Sequence, residues 1–299
     1  MEQIQNNQPS HCLICDNKAF TFQYKVKDHF LSSEDFSLFR CDSCGLISTF
    51  PQPEISEIDR YYQSSDYISH SSQAGNLFEL LYQSVRKFTN NRKAKLVLKY
   101  ANGKNILDIG CATGEFLFAC RSKGLNVFGA EPNEKARDIA FEKNKLVIND
   151  LNFLDNSKRN SFDVITMWHV LEHVHDLDTR MKQVNRLLND DGTAIIALPN
   201  YESHDAQYYK ENWAAYDVPR HLFHFNKSSF EKLANKNGFQ VREILPMKFD
   251  SYYVSLLSEQ YKCGKKSFPK AIFRGFLSNL RARQNKNQYS SLIYVISKR

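Results

Sequence analysis

The 299-residue sequence has no long apolar segment and no recognisable leader. Nowhere does an uncharged apolar run reach the length that crosses a bilayer, and the first ten residues are polar, without a basic stretch leading into an apolar one. These absences argue against a membrane-spanning helix and a secretory signal, so we expect a cytoplasmic protein. The hydrophobic content of 42% is enough for one large domain with a core and a small accessory unit.

Acidic residues are missing from the end of the chain. Residues 260–299 contain ten Lys or Arg and no Asp or Glu, whereas the rest of the chain carries slightly more acidic than basic side chains. Such a segment favours an anionic neighbour, which could be the phosphate of a small substrate, an RNA or an acidic lipid surface. A solvated basic face beside the last strand is an equally simple interpretation.

Four of the seven cysteines occur in two C-x2-C pairs, and three stand apart. In a reducing compartment, two such pairs are typical of a tetrahedral zinc site with the ligands Cys12, Cys15, Cys41 and Cys44. Two unrelated redox or buried pairs are the alternative. Because four thiolates leave no open position on the ion, we expect a structural zinc. It would hold a zinc-ribbon-like module over residues 1–55, followed by a linker and lid over residues 56–84.

From residue 85 onward, apolar strands alternate with helical segments. The clearest strands are "NILDIG", "NVFGAE", "KLVIND", "FDVITMW" and "TAIIALP". This alternation predicts βαβ crossovers and therefore an α/β, doubly wound, mostly parallel sheet. We expect seven strands in a Rossmann-like domain over residues 85–299, with a helical insertion at residues 250–289 before the last strand "SLIYVISKR".

The first of these strands leads into the glycine loop "LDIGCATGEF", where Gly110 and Gly114 flank a turn that lets the backbone approach a ligand. A glycine loop alone does not distinguish a nucleotide phosphate from other ligands. Asp108 does, because a carboxylate at that point repels pyrophosphate and favours a cationic amino-acid moiety beside a sulfonium. The next strand ends in Glu131, which is placed to accept hydrogen bonds from ribose hydroxyls.

In this order, "ILDIGCATGEF", "VFGAEP", "FDVITMWHVLEHV" and "LLNDDGTAIIALPN" resemble motifs of class I S-adenosylmethionine-dependent methyltransferases, although that family usually has glycine at the place of Ala112. The resemblance covers residues 85–299 and implies S-adenosylmethionine as the methyl donor. The residues that it places around the donor are Asp108, Gly110, Cys111 and Gly114 at the methionine part, Glu131 and Pro132 at the ribose, Asp150 and Leu151 at the adenine, and Trp168 and His169 at the methyl side. Asn149 is an alternative to Asp150. Glu172 and His173 either fasten the next helix or take part in catalysis.

A loop rich in aromatic residues, "WAAYDVPRHLFHF", follows the strand "TAIIALPN" and is expected at the carboxyl edge that faces the methyl donor. His221 and His224 are three residues apart without another cluster of ligands, which argues against a metal there. Methyl transfer needs an aligned acceptor and a group that removes its proton, and histidine suits that task near neutral pH. His221 is therefore the candidate base, with a structural histidine as the alternative.

The order of the cysteine pairs, the segment "DYISHSS", the methyltransferase motifs and a histidine before an aromatic run is similar to sugar C-methyltransferases that act on nucleotide-linked keto-sugars. This resemblance implies His221 as general base and Tyr67 as a lid residue at the acceptor site. That family often has an acidic residue where this chain has Arg220. Arg220 either binds a phosphate or carboxylate of the acceptor or pairs with Asp217 and shapes the loop. The form "DVPRHL" also occurs in methyltransferases of surface-polysaccharide and quinone-like type.

Several functions are open at this point. We expect methyl transfer to a small and possibly anionic molecule, a nucleotide-linked sugar or a related precursor of a surface polysaccharide or natural product. An O-methyltransferase of a phenolic or quinone-like acceptor would use the same fold and a similar base. An RNA methyltransferase would use the zinc module and the basic tail, although the module itself is modestly charged. A zinc-ribbon binding protein without activity fits least, because Asp108, Glu131 and the glycines are present.

Overall fold

Two β-sheets form the framework of the structure, a computed structural model that describes residues 8–62, 77–285 and 288–299. The strands, in chain order, are β1 (Phe20–Lys27), β2 (Asp35–Cys41), β3 (Ile47–Phe50), β4 (Asn105–Ile109), β5 (Asn126–Ala130), β6 (Phe162–Trp168), β7 (Leu188–Pro199), β8 (Phe223–His224), β9 (Phe239–Pro246) and β10 (Ser291–Lys298). The α-helices are α1 (Leu77–Tyr100), α2 (Glu115–Arg121), α3 (Glu134–Asn144), α4 (Asn152–Asn156), α5 (Leu177–Leu187), α6 (His204–Tyr209), α7 (Lys227–Lys236), α8 (Asp250–Cys263) and α9 (Phe268–Gln284). Short 3-10 helices lie at Ile58–Tyr61, Leu171–His173, Lys210–Asn212 and Ala214–Tyr216.

The central sheet has the strand order β5-β4-β6-β7-β10-β9. The first four strands run parallel, and β10 lies antiparallel between β7 and β9. This is the mostly parallel, Rossmann-like arrangement that the alternation predicts. The expected strand "KLVIND" is reduced to a single parallel bridge between Ala130 and Asn149. Asp150 then accepts a 3.0 Å hydrogen bond from the backbone N–H of Asn152 and turns the chain into α4, so the described sheet has six strands rather than seven.

Helices cover the central sheet through their apolar faces, and α5 shows how the sequence specifies this. The side chain of Asp176 accepts a 2.9 Å hydrogen bond from the backbone N–H of Thr179 and caps the helix start. Met181, Val184 and Leu187 are all buried, as the helical spacing of these apolar residues predicts. Each side chain buried in this way contributes about 1.5–3 kcal/mol to stability. This packing holds the carboxyl ends of the strands in a fixed arrangement.

The second sheet joins β1, β2 and β3 to β8, which comes from the aromatic loop, in the antiparallel order β1-β2-β3-β8. Ile47 pairs with His224, and Ser48 pairs with Phe223. The division into a module of residues 1–55 and a domain of residues 85–299 stays a prediction, but the sheet of the module includes residues from beyond that division. The expected lid residue Tyr67 lies outside the described residues.

Helices α8 and α9 form the insertion that the sequence predicts before the last strand. They approach closely at Gly275, where an added Cβ would lie 2.9 Å from the Cα atom of Tyr252. At the start of α8, Oδ2 of Asp250 lies 3.0 Å from Nε2 of His169, which follows β6. The insertion therefore contacts the edge of the sheet where the site is expected. Among the residues that the structure describes, no helix is both long enough and apolar enough to cross a membrane.

Candidate active site

The turn between β4 and α2 has backbone conformations that favour glycine. Gly110 and Gly114 have φ values of +71° and +76°, and a Cβ on Gly110 would lie 2.5 Å from a methyl group of Val170. Ala112, between them, has a φ of +47°, which places an alanine in the strained left-handed region. This explains why a glycine suits the position of Ala112. Without side chains at Gly110 and Gly114, the backbone of this turn can approach a ligand at the end of β4 closely.

Asp108 lies in β4 just before this turn and is 2% exposed. Its Oδ1 accepts a 2.6 Å hydrogen bond from the hydroxyl of Thr166. Burial raises the pKa of Asp108 to about 7, although Thr166 and the charge of Lys93 act in the opposite direction. A cationic ligand at this edge would favour the carboxylate form. The surroundings of Asp108 therefore fit the ammonium and sulfonium groups of S-adenosylmethionine.

Glu131 directly follows β5 and is held by two backbone groups. Its Oε2 accepts a 2.9 Å hydrogen bond from the N–H of Ala112, and its Oε1 accepts a 3.0 Å bond from the N–H of Asn133. Burial raises the pKa of Glu131 despite these bonds. Because each carboxylate oxygen can accept a second hydrogen bond, two ribose hydroxyls can donate to a group that is already oriented. Pro132 beside it is exposed, and its carbonyl accepts a 2.7 Å bond from Arg137.

The other residues expected near the methionine and adenine parts differ in their surroundings. Cys111 is buried, and burial raises the pKa of its thiol, so the sulfur stays neutral. Asp150 is exposed and accepts hydrogen bonds from the backbone and side chain of Asn152. Leu151 is half-buried against the main core. The alternative residue Asn149 has its backbone engaged in the bridge beside β5.

Trp168 ends β6 and lies at the carboxyl edge. Phe116 packs against its ring edge-on at 5.4 Å, and Nζ of Lys93 lies 4.5 Å from the ring centre. The indole N–H of Trp168 is buried and has no hydrogen-bond partner within the described part of the chain. An unpartnered buried donor costs free energy, so Trp168 is available to donate to a ligand.

His169 is held between two carboxylates. Its Nε2 lies 3.0 Å from Oδ2 of Asp250, and its Nδ1 lies 3.2 Å from Oε1 of Glu172. Burial disfavours the imidazolium, but the bonds to Asp250 and Glu172 outweigh it and raise the pKa of His169 to about 9. His169 is therefore a cation at neutral pH, which makes it a poor proton acceptor.

Glu172, His173 and His221 meet next to His169. A carboxylate oxygen of Glu172 and one imidazole nitrogen of each histidine lie within 4.8 Å of one another. The expectation that His221 has no other potential metal ligands nearby is therefore wrong. The reason is that the 3-10 turn Leu171–His173 and the aromatic loop, which are far apart in sequence, converge here.

Hydrogen bonds to carbonyl groups determine where these two histidines carry their protons. Nδ1 of His221 donates to the carbonyl oxygen of Ala215 (2.9 Å), and Nδ1 of His173 donates to that of Arg220 (3.0 Å). Because a carbonyl oxygen only accepts, Nδ1 carries the hydrogen in both rings and Nε2 carries a lone pair when the ring is neutral. Burial lowers the pKa of His173 to about 4, so this ring is neutral at physiological pH.

Glu172 contacts the aromatic loop through its backbone and the histidines through its side chain. Its carbonyl oxygen accepts a 2.8 Å hydrogen bond from the N–H of Leu222, so the residue fastens the aromatic loop. Its side chain is buried, yet the hydrogen bond with His169 lowers the carboxyl pKa against the effect of burial. Oε2 of Glu172 has no partner among the described residues. A buried anion with a free oxygen thus lies beside His173 and His221.

Arg220 is 2% exposed, and its guanidinium is bound by protein groups. It donates two hydrogen bonds to Asp217 (3.1 and 2.7 Å), one to Asp28 (3.0 Å) and one to the carbonyl of Tyr61 (3.2 Å). Burial disfavours the charge, but Asp217 and Asp28 outweigh it and raise the pKa of Arg220. An acceptor phosphate would have to displace both carboxylates. Of the two interpretations of Arg220, the pairing with Asp217 is the one that matches this geometry.

His224 is also buried and is held by the module. The hydroxyl of Thr49 donates to the carbonyl of His221 (2.7 Å), so its oxygen accepts from Nε2 of His224 (3.0 Å). Burial lowers the pKa of His224 well below its usual value. His224 is thus a neutral side chain that links β8 to β3.

The four cysteines of the two C-x2-C sequence pairs converge in the module. Sγ of Cys12 lies 3.4 Å from that of Cys44, Sγ of Cys15 lies 3.5 Å from that of Cys41, and all four sulfurs are within 4.8 Å of one another. All are free thiols. Four sulfurs bound tetrahedrally to one zinc at about 2.3 Å would lie about 3.8 Å apart. A hydrogen bond from Cys44 lowers the pKa of Cys12 to about 5 against burial, which favours a thiolate in this cluster. The donor set fits zinc.

Comparison with known proteins identifies the family and the fold. A family model described as a methyltransferase domain matches residues 83–244. The chain belongs to this methyltransferase family.

Similar folds occur in a SAM-dependent methyltransferase from Archaeoglobus fulgidus, with 16% identity and a TM-score of 0.50 over 75% of this chain and 100% of that one. Another is magnesium protoporphyrin IX methyltransferase from Synechocystis PCC 6803 with bound SAH, with 14% identity and a TM-score of 0.53 over 81% and 99% of the two chains. The fold of the chain is that of S-adenosylmethionine-dependent methyltransferases.

Similar curated proteins include two named as ubiquinone biosynthesis O-methyltransferases. The protein from Rhodopseudomonas palustris strain TIE-1 is 29% identical over 122 residues, which are 39% of this methyltransferase and 47% of that relative. The protein from Pelagibacter ubique is 35% identical over 106 residues, which are 32% and 43% of the two chains. The methyltransferase thus spans somewhat less than half the length of these curated relatives.

Sequence reasoning missed three charged residues of this methyltransferase. Asp250 binds His169, Asp28 binds Arg220, and Lys93 lies near both Asp108 and Trp168. No motif surrounds any of them. Only Asp28 could have been inferred from the sequence, because an arginine such as Arg220 within an aromatic loop needs a carboxylate partner when it is buried.

Proposed function

We propose that this methyltransferase transfers a methyl group to a hydroxyl or an acidic carbon of a small molecule, with His221 as the general base. The observation that carries this proposal is the bond from Nδ1 of His221 to the carbonyl of Ala215, which leaves Nε2 free to take a proton. The anion of Glu172 lies beside the ring and would stabilise the imidazolium that forms.

S-adenosylmethionine supplies an electrophilic methyl group on a sulfonium. The acceptor loses its proton to Nε2 of His221, a bond forms from the acceptor oxygen or carbon to the methyl carbon, and the sulfur–methyl bond breaks to leave S-adenosylhomocysteine. The protein aligns the acceptor and removes water, which together supply much of the rate enhancement in such displacements. The cation at His169 lies on the same edge and would favour an acceptor that develops negative charge.

For the donor, we propose the residues around the end of β4 and its neighbouring strands. Asp108 and the Gly110–Gly114 turn, with Cys111, would hold the methionine part, and Glu131 with Pro132 the ribose. The adenine would lie near Asp150 and Leu151, and the methyl side near Trp168 and His169. The strongest support is the burial of Asp108, whose carboxylate form a cationic ligand would favour.

The first candidate acceptor is a phenolic or quinone-like hydroxyl. The curated relatives from Rhodopseudomonas palustris and Pelagibacter ubique are named as O-methyltransferases of ubiquinone biosynthesis, and proton removal by His221 suits a phenol. The second candidate is a nucleotide-linked sugar, supported by the cysteine module that lies directly against the loop of His221. Because Arg220 is paired with Asp217 and Asp28, a sugar phosphate would need a different cationic partner.

Transfer of a labelled methyl group tests the proposal. Purified protein would be incubated with methyl-labelled S-adenosylmethionine and a panel of phenols, hydroquinones, nucleotide sugars and RNA, with the His221→Asn variant as control. We expect label in the phenol or nucleotide-sugar fraction, lost in the variant. Label found only in RNA would show that the acceptor class is wrong.

We also propose that Cys12, Cys15, Cys41 and Cys44 bind a structural zinc ion. The four sulfurs converge at distances that suit one ion, and no ligand position would remain for water or substrate. The zinc would hold the module whose β3 pairs with β8, and so would act on His221 only by keeping its loop in place.

A further inference from the structure

Helix α9 buries small residues and exposes most of its large apolar ones. Ala271, Gly275, Ser278 and Ala282 are buried where the helix packs on the rest of the protein. By contrast, four large apolar residues of the helix are 43–60% exposed: Ile272 60%, Phe273 58%, Phe276 55% and Leu280 43%. An ordinary surface helix does the opposite and turns its large apolar side chains inward.

These two sets of residues form opposite faces of the helix. At about 100° per residue, Ala271, Gly275 and Ala282 point in nearly one direction, whereas Ile272, Phe276 and Leu280 point away from it. We call the second set, together with Phe273, the outer face of α9. With 17 residues, α9 is about 25 Å long, so the outer face is a continuous apolar stripe rather than an isolated side chain.

Basic residues border the outer face. Lys265, Lys266 and Lys270 are exposed at the start of the helix, and Arg281 and Arg283 are exposed near its end. Residues 260–299 contain no Asp or Glu that would balance them. An apolar stripe with lysine and arginine along its sides is the pattern of a helix that lies in the interface of an anionic membrane.

A cavity next to the outer face adds a site for an anionic group. Its volume is about 180 Å³, and its lining includes Lys262, Lys270, Arg274 and Phe273. Tyr208 forms one wall, with the charges of Lys262 and Arg274 4.5 and 3.8 Å from its ring centre. The remaining lining residues are Glu259, whose Oε1 accepts a hydrogen bond from Tyr209 (3.0 Å), and Cys263. Three cations against one carboxylate favour a phosphate.

We propose that α9 docks this protein on the surface of an anionic phospholipid membrane. The outer face enters the boundary between headgroups and acyl chains, the basic residues lie at headgroup level, and the cavity accepts a lipid phosphate. The proposal is independent of the acceptor and of the catalytic assignments made above. Because α8 begins at Asp250, which binds His169, docking would hold the methyl-transfer edge near the membrane surface.

The charge pattern favours a membrane over a second copy of this chain. In a symmetric dimer built on α9, the basic borders of one copy would face those of the other and repel. The core of a protein–protein interface is also poor in lysine, whereas Lys265, Lys266 and Lys270 are exposed at the start of this stripe. Anionic headgroups neutralise the same charges.

Vesicle co-sedimentation tests the proposal. The full-length protein would be mixed with vesicles of phosphatidylcholine alone or with about one-third phosphatidylglycerol. We expect binding to the anionic vesicles that weakens with salt. The double variants Phe273→Ser/Phe276→Ser and Lys262→Gln/Lys270→Gln should each weaken binding by about tenfold or more.

Matched substitutions on other exposed surfaces serve as controls. Phe141→Ser, at a side chain that is 54% exposed on α3, and Lys135→Gln/Lys158→Gln should bind like the wild type. Thermal unfolding and S-adenosylmethionine affinity of every variant would verify the fold. The proposal is overturned if anionic vesicles do not bind the protein, if all variants bind equally, or if the α9 variants instead abolish a dimer or a protein complex.

Discussion

Nη2 of Arg220 lies 3.0 Å from Oδ1 of Asp28, although the two residues are 192 positions apart in the sequence. Asp28 also accepts hydrogen bonds from the backbone N–H groups of Phe30 (2.9 Å) and Ser32 (2.8 Å), so its carboxylate is oriented by its own loop as well as by Arg220. This ion pair connects the cysteine module to the loop that carries His221. Because its guanidinium is bound by Asp28 and Asp217, Arg220 acts by positioning the loop of His221.

Replacement of Arg220 by methionine should destabilise the fold by about 3–5 kcal/mol, because the carboxylates of Asp28 and Asp217 would lose the charge that offsets their burial. Urea unfolding monitored by tryptophan fluorescence measures this difference. Arg159→Met, at an exposed arginine, should change stability by less than about 0.5 kcal/mol. A stable Arg220→Met protein with a raised KM for the acceptor would show instead that Arg220 binds substrate.

Replacement of His221 by asparagine should lower turnover by about two orders of magnitude or more, the usual range for a general base. Affinity for S-adenosylmethionine should stay close to that of the wild type, because the residues that we propose to bind the donor lie on β4, β5 and β6 and the loops that follow them. Single-turnover kinetics and calorimetry separate the two effects. A variant with normal turnover would reduce His221 to a structural role.

The pair of His169 and Asp250 should make stability depend on alkaline pH. The folded-state pKa of about 9 lies above the usual value of 6.5. The pair therefore contributes its full stabilisation below about pH 6.5, and the contribution is lost as pH rises through 9. The shift corresponds to about 3 kcal/mol. Unfolding free energies from pH 6 to pH 10 would show this loss, and Asp250→Asn should flatten the curve. Parallel curves would contradict the pairing.

Replacement of Ala112 by glycine should leave stability unchanged or increase it by up to about 1 kcal/mol. The change removes the strain of an alanine at a φ of +47°, which is partly offset by the greater flexibility of glycine in the unfolded chain. Ala119→Gly, inside α2, has no strain to relieve and should cost about 1 kcal/mol. Chemical denaturation of the two variants side by side makes the comparison. Equal losses would show that Ala112 is unstrained.

Elemental analysis should find one zinc per chain, and Cys41→Ser should abolish it. Cys263→Ser provides the control, since Cys263 is an exposed thiol outside the cluster. Chelation should also lower methyl transfer, because β8 pairs with the sheet of the module. A second equivalent of metal that survives Cys41→Ser would place an ion at Glu172, His173 and His221 and contradict proton transfer to His221.

The places of Asp108 and Glu131 in the fold could be predicted because these residues follow short apolar strands in a fixed order, whereas their contact with the donor stays a prediction. Asp108 and Glu131 each stand where a strand meets a turn, and local pattern is enough to locate them. The partners of His169 and Arg220 could not be predicted in this way. Asp250 lies 81 positions from His169, and Asp28 lies 192 positions from Arg220. No residue pattern in either segment indicates these contacts. The local pattern also predicts a full strand at "KLVIND", where the structure has a single bridge at Asn149. The hydrogen bond from Asn152 to Asp150, which turns the chain into α4, is not evident from the apolar pattern.

The two-residue strand β8 has a consequence for how variants of this protein can arise. Since β8 completes the sheet that begins with β1, residues near the N-terminus and residues 217–224 form one structural unit despite the distance between them in sequence. Recombination that exchanges the first 55 residues with a homologue would separate Asp28 from Arg220 and β3 from β8. Viable chimaeras should therefore exchange both segments together, and substitutions in one should be compensated in the other.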